Sequence, residues 1–133
     1  MNCAQLKDWL KAHTDVGEGI QVGSINGNAW RCIGVYPKDS PGPARVCIGG
    51  AEMTLTQTLH ATLLIHWGRA GPEAEAKARE VWGLFYGLAG CVMSGARVFC
   101  ADPGAAPIPL GRDARGVFEF AVQLTLVAEK EKE

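Results

Sequence analysis

The chain has little charge of either sign, no long apolar run and no closely spaced cysteine pair. Charged residues make up 20% of its 133 positions, and the formal net charge is -1. A dedicated nucleic-acid binder carries a basic excess, so that class is excluded, although a small local basic patch is not. No stretch is apolar over the length a membrane span requires. The start, Met-Asn-Cys-Ala-Gln-Leu-Lys-Asp-Trp, has no basic segment followed by an apolar core, so no secretory signal is read there. The five cysteines (Cys3, Cys32, Cys47, Cys91, Cys100) are odd in number and lack a Cys-x-x-Cys pair. They are expected to be free thiols of a protein made in a cytosol. Repeats and low-complexity tracts are also missing.

What is present is an ordinary globular composition, 47% hydrophobic, in a length that suits one domain with a real core. The most informative stretch is Pro107 to Val127. A proline-punctuated approach leads to a polar turn, Gly111-Arg-Asp-Ala-Arg-Gly116, in which Asp113 and the glycines supply the turn backbone. A long alternating strand follows. Phe118, Phe120, Val122, Leu124 and Leu126 share one face, with Glu119, Gln123 and Thr125 on the other.

Upstream, Leu6, Trp9, Leu10 and His13 fall at helical spacing and predict a helix over Cys3 to His13. Gly19 to Ile25 and Ala29 to Tyr36 read as strands joined by a tight turn at Asn26-Gly27-Asn28. Pro37 to Pro43 is a stiff loop, since its prolines cannot serve a sheet interior. Arg45 to Ile48 is a short strand. Leu55 to Trp67 fits a helix by period, but its β-branched content favours a long strand. Pro72 to Leu88 is the clearest helix, with Ala74, Ala78, Val81, Trp82, Phe85 and Leu88 on its buried stripe. Glu75, Lys77, Arg79 and Glu80 are expected to face water, and Gly90 to end it. Ala96 to Cys100 is a further strand.

This order predicts an α+β fold over residues 1–128, a mixed, mainly antiparallel sheet with two amphipathic helices packed on one face. Residues 129–133, Glu-Lys-Glu-Lys-Glu, are expected to be a frayed charged tail. The uncovered face is expected to carry Ile33, Val35, Leu64 and Val127, more apolar surface than a lone soluble monomer exposes. A partner subunit is its natural cover.

Catalytic constellations are weak. His60 and His66 lie six residues apart on one strand, about 20 Å at strand rise, too far to share a metal ion. A Cys47 thiol paired with His60 or His66 would make a nucleophile, but nothing local marks an activated cysteine. The glycines lack the context of a phosphate-binding loop. No catalytic residue, cofactor or metal is therefore expected. Scattered bases remain: Lys38 and Arg45 flank the proline loop, and Arg112 and Arg115 sit at one turn. They are a solvated rim or, if subunits converge, a cluster that meets an acidic partner or passing DNA.

From about Ala29 to Val127 the chain resembles the tail-terminator and minor capsid proteins of long-tailed bacteriophages. The resemblance rests on the order and spacing of several short motifs. They are Val35-Tyr36-Pro37 closing a strand, Arg45-Val-Cys-Ile-Gly-Gly50, Leu64-Ile-His-Trp67, a helix holding Val81-Trp82, and Pro107-Ile-Pro-Leu-Gly-Arg-Asp113 leading into Gly116-Val-Phe-Glu-Phe120. The resemblance implies a non-enzymatic virion protein of the tail or neck, assembled in the host bacterial cytoplasm. It implies a ring, typically of six subunits, that caps the tail-tube protein and presents a surface to the head-tail connector protein. DNA would meet it only by passing through the lumen. Head-closure and tail-tube proteins are the neighbouring alternatives, and a small cytosolic enzyme or ligand-binding domain is the alternative of another class. From loops and edges, the expected protein-interface residues are Lys38, Asp39, Pro41, Arg45, Arg112, Asp113 and Arg115.

Overall fold

The computed structural model describes residues 1–38 and 55–129. The expected strand Arg45 to Ile48, and the proline loop beyond Lys38, lie outside the described residues. Helix α1 spans Cys3–His13. Asn2 caps it: its side chain accepts from the Gln5 N–H while the Gln5 side chain accepts from the Asn2 N–H, each at 2.9 Å. Leu6, Trp9 and Leu10 are buried, and the His13 ring stacks on Trp9 with centroids 4.2 Å apart.

Strands β1 (Ile20–Val22) and β2 (Arg31–Pro37) follow, and here the expected hairpin is corrected: the pair is parallel, with Ile20 opposite Ile33. The Asn26 turn exists, closed by the Ala29 N–H donating to the Asn26 carbonyl at 3.0 Å. It lies within a longer return loop, however, and does not close an antiparallel hairpin. That loop folds back over β2 where Gly34 leaves room: a Cβ at Gly34 would stand 2.6 Å from Ile25 Cγ2.

Strand β3 (Thr56–Trp67) is the long strand expected, antiparallel to β2. Helix α2 runs Gly71–Phe85, with Pro72 in its first turn, and stops earlier than Leu88. Gly90 is not the stop. Gly87, at φ 71°, turns the chain first, and Gly90 lies in β4 (Ala89–Met93). Ala74, Ala78, Val81 and Phe85 are buried as the stripe requires. Lys77 is buried too, against expectation. Its stem lies along apolar surface, its ammonium sits 4.7 Å from the Trp67 ring centroid, and it donates to Thr14 Oγ1 and Glu80 Oε2.

β4 pairs with β5 (Ala96–Asp102) across Ser94 and Gly95, whose φ angles of 48° and 85° suit a type I′ turn. β6 (Ile108–Arg112) and β7 (Phe118–Glu129) form the last hairpin. Neither β4 nor β6 is anticipated by the pattern. β6 holds Pro109, which an edge strand tolerates because one side needs no donor. β7 continues through Glu129, which pairs with Thr56, so Glu129 belongs to the sheet and not to the expected tail; residues 130–133 lie outside the described residues.

The sheet order is β1-β2-β3-β7-β5-β4. β6 lies beside the first half of β7, and β5 beside the second. The fold is α+β: two helices on a seven-strand, mostly antiparallel mixed sheet. α1 packs on β1 and β2, and α2 on β3 and β7. Leu6, Leu10, Val81 and Phe85 meet Ile33, Val35, Leu63, Ile65, Val122 and Leu124 there. Each such buried side chain contributes roughly 1.5–3 kcal/mol.

Ile33 and Val35 therefore belong to the covered face, correcting the expectation that they lie uncovered. Their cross-strand partners are Ile65 and Leu63, not Leu64. The helix-free face carries the alternate rows Cys32–His66–Glu119, Gly34–Leu64–Ala121 and Tyr36–Thr62–Gln123, then His60–Thr125 and Thr58–Val127.

Candidate interaction surface

The helix-free face is polar in its middle. Gln123 Oε1 accepts from Lys38 Nζ at 2.8 Å and from Thr62 Oγ1 at 3.1 Å. Thr125 Oγ1 lies 3.3 Å from His60 Nδ1. Lys38 thus folds onto the sheet surface at one end of β2.

The opposite end gathers the start of β2, the end of β3, the start of α2 and the β6–β7 turn. His66, with 1% of its surface exposed, is the buried centre. Its Nδ1 lies 3.2 Å from Glu119 Oε2, and its Nε2 lies 3.1 Å from the Ala29 carbonyl and 3.7 Å from Asp113 Oδ2. Both ring nitrogens therefore face oxygen acceptors. His66 ties β7 to the return loop and to the β6–β7 turn.

That turn is built by Asp113. Its Oδ1 accepts from the Arg115 and Val117 N–H groups, each at 2.9 Å, and Gly116 takes φ 83°. The Val117 N–H above all holds the Asp113 carboxyl below its ordinary range, helped by the Arg115 N–H and the charges of His66 and Arg115. Glu18 does the same for the start of β2. Its carboxylate accepts from the Arg31 and Trp30 N–H groups, which lower its pKa. Glu18 thus fixes the backbone at Trp30 and Arg31, and Asp113 the turn that carries Arg115.

Trp30 is 41% exposed. The Arg115 guanidinium lies 3.9 Å from its ring centroid and that of Arg69 4.6 Å. Arg115 Nη1 donates to the Gly27 carbonyl at 2.7 Å, and Arg69 Nε to the Arg115 carbonyl at 3.1 Å. Arg31 pairs with Glu73, and Arg112 lies over Phe118 at 5.6 Å. A shallow groove of about 340 Å³ runs beside this end, between α2 and β6, under Pro72, Pro109, Phe118 and Phe120. Among the described residues no serine, threonine or cysteine lines it, and no three of His, Cys, Asp and Glu are set to hold a metal ion.

Of the residues expected at an interface, Arg112, Asp113 and Arg115 come together here. Lys38 stands at the other end of β2, about 23 Å from Arg31 at strand rise. Asp39, Pro41 and Arg45 lie outside the described residues, as does Cys47. Sequence reasoning missed Trp30 and Arg69, and missed the tie between His66 and Glu119. The one local signal was a tryptophan directly after a turn. No family model, no curated protein and no solved structure matches this chain.

Proposed function

We propose that the chain is a structural virion protein, a phage tail terminator that forms a ring on the tail tube and offers the surface for head joining. One observation carries this reading: among the described residues both lateral margins of the sheet are unpaired and expose apolar side chains. On one side β1 exposes Val22. On the other, β6 exposes Ile108 and Leu110, the latter by 54%, and β4 exposes Val92 by 64%. Unpaired edges of this kind invite further strands. Opposite margins that differ in sequence make a head-to-tail contact, and such a contact closes into a ring when the rotation permits. The ring would occupy the surface that the next tube subunit needs, which stops growth without chemistry.

The test is native mass spectrometry of the protein, then negative-stain microscopy with purified tail tubes of a long-tailed phage. A discrete ring, alone or on tube ends, with tubes that stop lengthening, supports the reading. Open tube growth by the protein itself would make it a tail-tube protein. Rings that join heads but leave tubes growing would make it a head-closure protein. A monomer that ignores tube ends would overturn all three.

A further inference from the structure

We propose that Trp30, Arg69 and Arg115 form a docking site for an acidic protein segment, one presenting aspartate or glutamate carboxylates. The proposal goes beyond the ring reading and holds for a monomer as well.

The carboxylates at this end are already committed. Glu73 pairs with Arg31, Glu119 faces His66, and Glu18 and Asp113 accept backbone N–H groups. Arg69 and Arg115 are left with backbone carbonyls and the indole ring as partners, and neither has a carboxylate within ion-pair distance among the described residues. Each carbonyl takes one N–H, so several guanidinium donors stay unused. The indole N–H also has no partner among the described residues. A group of donors without acceptors, held in place by hydrogen bonds and the ring, recognises an acceptor-rich ligand.

A carboxylate-bearing protein fits better than nucleic acid. The net charge is -1, and the cations beside Trp30 without an ion-pair partner among the described residues are two arginines on one ring, enough for one or two carboxylates but not the extended basic stripe that tracks a phosphate backbone. A half-exposed tryptophan between arginines is instead the composition of a protein hot spot.

The test follows the Trp30 indole N–H resonance in the full chain, assigned with W30F. The probes are a short glutamate-rich peptide, its glutamine counterpart and a single-stranded oligonucleotide of equal charge. The glutamate peptide should shift the resonance, the glutamine peptide should not, and raised salt should weaken the effect. R69Q, with circular dichroism as the folding control, should weaken binding roughly tenfold. If R69Q fails to fold, the salt series and the glutamine peptide decide. Equal shifts from both peptides, no shift from either, or tighter binding of the oligonucleotide would overturn the proposal. Light scattering on the same samples reads ring formation separately.

Discussion

His66 and Glu119 are direct partners across β3 and β7, with the imidazole Nδ1 3.2 Å from the Glu119 carboxylate. The other ring nitrogen reaches the Ala29 carbonyl. One buried side chain thereby fixes the platform on which Trp30 and Arg115 sit. His66→Leu removes the polar ring that bridges these acceptors, at a cost of about 1–3 kcal/mol, or a Tm fall of roughly 4–15 °C in calorimetry. His66→Leu with Glu119→Leu should cost less than the two single losses added together. A single variant that melts within a degree of the parent would show that the pair carries no stability.

Gly17 and Arg31 set the entry to the parallel pair. Gly17 sits at φ 66°, and a Cβ there would stand 2.5 Å from the Arg31 carbonyl oxygen. The obstacle is backbone, and the Glu18 N–H bonds to the same carbonyl, so neither side yields cheaply. At Gly34 the nearest atoms belong to the Ile25 and Tyr36 side chains, which move more easily. Gly17→Ala should therefore destabilise more than Gly34→Ala, by about 1 kcal/mol or more, as read from urea midpoints. The reverse order would contradict this account of the return loop.

The long alternating strands and both helices were legible because the core face repeats at period 2 in β3 and β7 and near 3.6 in α1 and α2. The weaker edges were not. β6 reads as a loop because Pro109 and Gly111 lie in it, yet an edge strand needs hydrogen bonds on one side alone. Asn26-Gly27-Asn28 signals a reversal but carries no information on the direction in which the flanking strands then pair. Placing Ile33 on the wrong face follows from the same gap, since a one-residue change of register exchanges the two faces. Lys77 reads as solvent-facing by its charge, while its stem does the packing. At the candidate site Arg112, Asp113 and Arg115 were visible as a charged turn. His66, Glu119 and Trp30 were not, because only strand register brings residues so distant in sequence together.

Lys77 and Glu80 link the helix to the end of α1. The Glu80 carboxyl is held below its ordinary range first by the hydrogen bond from Lys77, then by that from Thr14. A carboxyl depressed in the folded state contributes its full stabilisation above the ordinary carboxylate pKa, and loses it as pH falls through the folded value. Glu80→Gln should therefore melt below the parent at pH 7, and the gap should close as pH falls below about 4.5. Lys77→Met should flatten the same acid limb. A gap that stays constant from pH 7 to pH 3 would remove Glu80 from the acid response.

The thiols separate a structural protein from an enzyme. Cys3 and Cys32 are buried, and burial raises the pKa of each; the Glu18 charge adds to the effect at Cys32. Cys91 is raised by burial as well. Among the described cysteines Cys100 alone is exposed, opposite Val127 on the helix-free face. Thiolate is the reactive form, so both access and acidity disfavour the first three. In a Cys47→Ser background, a disulfide reagent at pH 7.5 should label Cys100 first. Cys3 and Cys32 should react only at the rate of unfolding, and denaturant should release them together. Restoring Cys47 tests the nucleophile paired with His60 directly. A single thiol reacting orders of magnitude faster than Cys100 would favour a catalytic cysteine over the virion role. Labelling of Cys47 no faster than Cys100 would remove the cysteine-nucleophile alternative.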